Sequence, residues 1–425
     1  MSEADKSRVY PGFRWLILVS AVLGYITMQV MNLSFAPILP QIAQDLAINV
    51  GAATNLMTAF LFSGAVALFF AGAVCDRYGI MAVIVSGFVC ATVPAALIPW
   101  VDMSYGGVLW ARIFEGLSSG FFLSAMGPII ALWFPPREKG LAGGLMGASV
   151  AVGSAVGVVA GPAIFLATGS WRQMSGWLSL FGWLGLAFAL VLLLVPKPQL
   201  PPQSQPAAQS EGERTVFIQA MVSWVTLVGL IVTFFAGWCL QCVFSLMPGF
   251  LSADKPLGAG FGPMAAGQLM LAVTGAGIIS PIIGGILTDK LFKGNVKPVM
   301  TAGLFLCPIV IYAIQLSAVH TVVYFLVTVL ALAGMAVQVV YTAIFIYIAK
   351  VYQSQIVGRM TGLWAGAGAI GGVLGLFLGG LAVKTSGNYG LAITLVALAG
   401  LAGLVSALIL PKAKDLKVLI IDYPG

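Results

Sequence analysis

Charge is what this sequence has little of. Only 8% of its 425 residues are Asp, Glu, Lys or Arg, and 60% are hydrophobic. A soluble domain carries roughly 25% charged residues, so the composition excludes a soluble globular protein. Histidine occurs once, at His320, and the five cysteines (Cys75, Cys90, Cys239, Cys242, Cys307) all sit in or beside apolar runs. They supply no disulfide framework, and with a single histidine a dedicated metal cage is poorly supported. Cys239 and Cys242 form a CxxC pair in mid-segment, where small packing residues are the simpler reading. No nucleophile–base or metal constellation appears, so neither an enzyme nor a bound metal or cofactor is expected.

Long hydrophobic runs are what the sequence has instead. A membrane-crossing helix needs about 20 mostly apolar residues. Twelve such runs lie near 14–38, 54–74, 80–100, 105–134, 140–165, 174–195, 217–248, 263–287, 298–317, 321–348, 357–383 and 388–410. They are continuous rather than alternating. Because lipid leaves each backbone polar group to find an internal partner, continuous runs mean helices rather than barrel strands. The first run is long and has no clear cleavage site, unlike a secretion signal. The expectation is an all-α membrane protein with twelve transmembrane helices.

Basic residues orient it. An even number of crossings leaves both termini on one side. Counting loops and tails, that side carries sixteen Lys and Arg, against Arg172, Lys255 and Lys384 opposite. The rule that cytoplasmic loops are the basic ones makes both termini cytoplasmic. The formal charge of +7 is mostly this topology signal and does not describe a nucleic-acid surface. Short tails and loops point to a bacterial inner membrane, and a monomer in the bilayer is expected.

The stretch "VPKPQLPPQSQPAAQSEGERT" (195–215) interrupts the pattern. Rich in Pro, Gln and Ser, it reads as a flexible or extended linker. The expected division is a six-helix bundle over 1–195, a cytoplasmic linker over 196–216, a second six-helix bundle over 217–411 and a cytoplasmic tail over 412–425. The two bundles look alike. At one fixed offset Gly140, Gly144, Gly153, Gly157 and Gly161 of the fifth segment meet Gly358, Gly362, Gly371, Gly375 and Gly379 of the eleventh. Pro37 and Pro248 close the first and seventh segments in the same way. Glycines four apart let helix backbones approach, and a duplicated unit with a site between its copies is the plan of many secondary transporters.

The loop after the second segment reads "GAVCDRYGI", with Gly72, Asp76, Arg77 and Gly79; the loop after the eighth, "GGILTDKLFKG", repeats a weaker form with Asp289 and Lys290. An acid at a helix end can pair with basic groups or with a neighbouring helix terminus, so the two loops are candidates for a cytoplasmic gate. The pattern G-x-x-x-D-R-x-G resembles the signature loop of the major facilitator superfamily. Further basic residues usual just downstream are replaced here by Ile80, Met81 and Ala82. Arg112 and Gly116 resemble that family's R-x-x-x-G motif, and "GVVAGP" (157–162) resembles the fifth-helix motif of its proton-coupled antiporters. The resemblance covers essentially the whole chain. It implies the family's fold, two pseudo-symmetric six-helix bundles, and alternating access around a cavity built chiefly from helices 1, 4, 7 and 10.

The segment "ARIFEGLSSG" carries the two charges that loops and helix ends do not explain, Arg112 and Glu115. Intramembrane charge costs about 2.5–3.5 kcal/mol per residue on insertion scales. Spaced three apart, the two share a helix face. The bland reading is an arginine that snorkels to the interface beside a neutralising acid. The functional one gives Arg112, a planar fork suited to carboxylates, an anionic substrate. It gives Glu115 the coupling proton, because burial disfavours a charged carboxyl. Neutral candidates for the substrate cavity are Gln29 and Asn32, Trp238 and Gln241, and Gln338 and Tyr341; packing glue between helices is the alternative for each. Trp110, Trp133 and Trp364 read as interfacial anchors.

The stretches "NLSFAPILPQIAQDL" (32–46) and "LWFPPREKGLAGGL" (132–145) resemble the anion–cation symporter branch and its organic-acid relatives. That branch commonly carries an Asp-Arg pair just before the Asn of the first helix; here Gln29, Val30 and Met31 precede Asn32. Two functions follow. One is a proton-coupled transporter of a small organic anion. The other is a proton-driven antiporter exporting apolar or cationic compounds, in which Arg112 only tunes Glu115. The expected partners are a small-molecule substrate, protons and the lipid bilayer, with no nucleic acid.

Overall fold

A computed structural model of the chain describes residues 12–101, 104–135, 138–195, 211–320, 322–352 and 356–412. Twelve of its helices are long and apolar enough to cross a membrane. They are α1 (Phe13–Leu33), α2 (Val50–Tyr78), α3 (Ile80–Leu97), α4 (Tyr105–Trp133), α5 (Lys139–Thr168), α6 (Trp171–Leu194), α7 (Trp224–Ser245), α8 (Gly262–Ile286), α9 (Lys297–Ile314), α10 (Val323–Val351), α11 (Val357–Ser386) and α12 (Gly390–Ile409). No strand occurs among the described residues. The fold class expected from composition is the one observed.

Local chemistry sets the helix ends. Proline has no backbone N–H, and its ring collides with the carbonyl four residues earlier. Pro37 therefore stops α1 at Leu33, and the chain continues as a 3₁₀ turn (Ala36–Ile38) and a short helix (Leu39–Asp45). Pro248 plays the matching part after α7, where a short helix Met247–Ser252 follows. α5 and α11 end on Gly169 and Gly387, with φ of 66° and 71°. A left-handed C-cap strains any residue with a Cβ, and these two glycines extend the offset that relates the two halves of the sequence. The seventh hydrophobic run is not one helix. A short helix Glu211–Met221 precedes it, and Ser223 then caps α7 by accepting from the Thr226 N–H at 3.3 Å.

The chain divides into two compact units, Met1–Ile38 with Ala59–Ala207, and Leu39–Thr58 with Ala208–Gly425. The first two turns of α2 thus group with the C-terminal helices, where a Cβ on Gly51 would strike the Gly380 carbonyl and Lys384. Within the first unit, the Phe122 ring stands at 5.0 Å, edge-on to Phe88, and fills the space left by Gly24 and Gly87. Within the second, Trp364 is fully buried between Tyr347 and Tyr352, over Gly229. Trp133 is also buried, against Phe13, and only Trp110, 64% exposed, is placed as an anchor would be. The interfacial expectation fails for Trp133 and Trp364 because a helix end turned inward offers an aromatic ring more apolar contact than the headgroup region does.

Three of the five repeated glycine pairs are contact points within their units, while Gly144 and Gly362 have nothing within 4 Å. A Cβ at Gly153, Gly157 or Gly161 would meet Ile26 and Gln29, Val30, or Ser34 of α1. At Gly371, Gly375 and Gly379 it would meet Phe234, Trp238 and Leu246, on α7 and its C-cap. α5 lies on α1 as α11 lies on α7, glycine for glycine.

Candidate functional site

Arg112 and Glu115 both lie on α4 with side chains 0% exposed, and Arg112 Nη1 donates to Glu115 Oε2 at 2.6 Å. The arginine does not snorkel. Its fork reaches across to the last turn of α1, donating to the Met31 carbonyl at 2.9 Å and to the Asn32 carbonyl at 3.5 Å. The last four carbonyls of a helix have no partner within it, and the helix dipole makes that end partly negative. Arg112 answers both deficits. Two rings close the remaining faces: its guanidinium carbon stands 4.5 Å from the Phe35 centroid and 4.6 Å from that of Phe60. Such cation–π contacts strengthen when desolvated.

Glycine makes this enclosure possible. A Cβ on Gly116 would run into the Phe60 carbonyl and the Ser63 hydroxyl; one on Gly120 would run into Ala67 and the Gly64 carbonyl. α4 and α2 therefore touch backbone to backbone one turn below Arg112, which brings Phe60 over the guanidinium. The glycine of the R-x-x-x-G pattern is the residue that sets this distance.

The acid is less completely satisfied than the base. Glu115 Oε2 accepts from Arg112, but Oε1 is buried with no hydrogen-bond donor among the described residues. Asn32 is 5% exposed, and its Oδ1 is a second buried acceptor without a donor among the described residues. Most buried polar atoms in folded proteins have a partner; here one such oxygen belongs to the acid of the ion pair and the other to the residue whose backbone carbonyl Arg112 reaches.

Of the other predicted residues, Gln29 lies on α1 and donates from Nε2 to Ser154 on α5 at 2.8 Å. Trp238, Gln241, Gln338 and Tyr341 are half-buried in the second unit. Trp238 lies over Gly375 and Gln241 over Gly372, while Gln338 packs on Gly277 and the Tyr341 hydroxyl on Gly368. The structure thus brings Asn32 to the ion pair and holds the second-unit candidates against small residues of neighbouring helices. The two stretches expected to be loops are largely helical: Gly72, Asp76 and Arg77 lie in the last two turns of α2, and Asp289 and Lys290 in a π-helical turn (Leu287–Leu291), because backbone hydrogen bonding continues past the end of each apolar run. Gly72 has open space around it, and Gly79 takes a φ of 84° at the turn into α3. Arg77 and Lys290 are exposed, and Arg77 covers the Tyr78 ring at 5.3 Å. The side chains of Asp76 and Asp289 lie outside the described residues.

Sequence reading missed Phe35, Phe60 and the α1 carbonyls. A phenylalanine in an apolar run carries no local mark of what it will cover. It also missed the pairing of Arg14 with Glu138, whose carboxylate receives Nε at 3.0 Å and Nη2 at 3.1 Å and ties the start of α1 to the start of α5.

Twelve spanning helices and a sealed intramembrane ion pair define a polytopic α-helical membrane protein. A family model, the Major Facilitator Superfamily, matches residues 17–327. The chain belongs to that superfamily. A stretch of 108 residues, 25% of this chain and 20% of the relative, is 32% identical to the Arabidopsis thaliana protein named Probable anion transporter 4, chloroplastic. The Phosphoglycerate transporter protein of Salmonella typhimurium is 23% identical over 327 residues, 70% of this chain and 68% of that one. This chain therefore spans only a fifth of the plant relative's length. Among solved structures, a D-xylose-proton symporter superposes with a TM-score of 0.73 at 16% identity, covering 95% of this chain and 99% of that one; that likeness speaks for the fold.

Proposed function

We propose that the protein is a secondary active transporter that works by alternating access and couples a small organic anion to protons. Its halves are 1–195 and 217–411, joined by the linker 196–216, with both termini cytoplasmic in a bacterial inner membrane. The observation that carries the coupling is the ion pair that is fully satisfied on one side and not on the other. A proton on Glu115 turns an acceptor without a donor among the described residues into a donor. Arg112 meanwhile keeps two carbonyls and two rings, which go on solvating its charge while Glu115 is neutral. An anion competing with Glu115 for the guanidinium would release the carboxylate to take up a proton. The relatives named for anion and phosphoglycerate transport support an anionic cargo. Gln29, Asn32, Trp238, Gln241, Gln338 and Tyr341 are assigned to the substrate path, and Gly72, Asp76, Arg77, Gly79, Asp289 and Lys290 to the cytoplasmic gate.

The complete enclosure of Arg112 favours a second reading. In it the arginine only manages Glu115, and the protein is a proton-driven antiporter exporting apolar or cationic compounds. Uptake into proteoliposomes separates the two. Glu115→Gln is expected to keep exchange of a labelled small carboxylate across the membrane and to lose its response to an imposed pH gradient. A response equal to wild type removes Glu115 from the mechanism. Flux of lipophilic cations but of no carboxylate selects the exporter.

A further inference from the structure

The second unit contains a pocket of about 560 Å³, lined by residues far in sequence from the ion pair. Three connections form it: the one between α7 and α8, the one between α9 and α10, and the one between α11 and α12. Its lining includes Phe250, Lys255, Gln315, His320, Asn388 and Gly390. Among the described lining residues Lys255 is the one Lys, Arg, Asp or Glu. The nearest acid in sequence, Asp254, is exposed.

The polar groups are oriented rather than loose. His320 Nε2 lies 2.6 Å from the Ile314 carbonyl, which makes that nitrogen the donor, and its ring sits 5.7 Å from Phe250 and 6.0 Å from Phe261. Asn388 Oδ1 accepts the Gly390 N–H at 2.9 Å, which leaves the amide's own N–H groups to offer. The wall is kept thin by glycine. A Cβ on Gly390 would meet Asn388 Oδ1 at 3.1 Å and Gln315 Oε1 at 3.5 Å, and one on Gly258 would strike the Phe250 carbonyl. Tyr389 stands behind this wall, completely buried, 6.0 Å from the Phe250 ring, with its backbone N–H on the Leu257 carbonyl at 3.2 Å. Its hydroxyl has no partner among the described residues.

One ammonium group, amide donors and an apolar wall of Phe250, Pro256 and Leu257 match one chemical class. We propose that this pocket binds a small organic carboxylate with an apolar part, at a site separate from the Arg112–Glu115 pair. Lys255 takes the carboxylate, Gln315 and Asn388 donate to it, and Phe250 covers the apolar part. Its place on the non-cytoplasmic face, and its use to load the transport path by raising local substrate concentration, rest on the function proposed above; the binding itself does not.

His320 is the only histidine in the chain, so it reports on the pocket without assignment. In untagged full-length protein labelled at histidine, titration with benzoate is expected to move the single imidazole resonance saturably. Acetate should do so more weakly and tetramethylammonium not at all. Lys255→Glu, a change at an exposed position, should weaken the benzoate titration by about tenfold or more. Arg112→Gln should leave it as in wild type. An unmoved resonance, a shift that grows without saturating, or a Lys255→Glu variant that titrates like wild type overturns the proposal. So does loss of the shift in Arg112→Gln, because the resonance would then be reporting on the other unit. Persistence of the shift in a protein whose proton coupling ignores Glu115 would leave this site standing and the coupling scheme refuted.

Discussion

At the scale of single residues, Arg112 shows how a charge survives in an apolar helix. It is balanced by a carboxylate, by the carbonyl end of a second helix and by two aromatic faces. Breaking a buried pair by removing one partner costs about 3–5 kcal/mol, whereas replacing both by apolar residues is often close to neutral. Arg112→Leu should therefore destabilise the purified protein by an amount in that range, and Arg112→Leu with Glu115→Leu should recover most of it. The recovery will be incomplete, because Met31 and Asn32 lose the donor for their carbonyls. Thermal unfolding in detergent of both variants checks this; equal loss in single and double variants would show that the pair is not coupled. That two charges three apart on an apolar helix meet each other was legible in the sequence. That Phe35 and Phe60 cover them was not, since contacts between helices depend on rotation and crossing angle, which no local spacing encodes.

At the scale of elements, glycine decides which helices touch. Gly157 faces Gln29 and Val30 backbone atoms at 3.1 Å from where its Cβ would be, whereas nothing lies within 4 Å of the same point on Gly144. Both are helical glycines spaced for close packing, and sequence alone cannot rank them. Overpacking a helix crossing costs about 1–3 kcal/mol, while Gly→Ala at an unobstructed helical position gains up to about 1 kcal/mol. Gly157→Leu should lower the melting temperature and Gly144→Ala should leave it unchanged or raise it. The same pair of signs is expected for Gly375→Leu, where Trp238 is the obstacle, and for Gly362→Ala, where there is none. A melting temperature indifferent to Gly157→Leu would mean that α5 does not lie on α1 as described. The shared offset of these glycines, and of the left-handed caps Gly169 and Gly387, was readable in advance because duplication preserves register. The break between Met221 and Trp224 carried one mark, the capping residue Ser223, and a single polar residue in a long apolar run is not legible as a helix start.

At the scale of the whole molecule, topology rests on charge. Lys290 and Asn388 are both exposed, at opposite ends of spanning helices. With the native cysteines replaced, Lys290→Cys should react with an impermeant maleimide only from the cytoplasmic side and Asn388→Cys only from the other. Labelling of both from one face would overturn the assigned orientation. What the sequence by itself determined is the membrane class, the number of crossings, the internal duplication and the presence of one intramembrane ion pair. Each of these follows from composition, period or offset, which are properties of the chain read in order. What only tertiary structure decided is the environment of that pair, the burial of Trp364, the glycines that matter and the pocket behind Lys255. These depend on which side chains from distant segments fill the same space, and close packing of helices settles that in three dimensions.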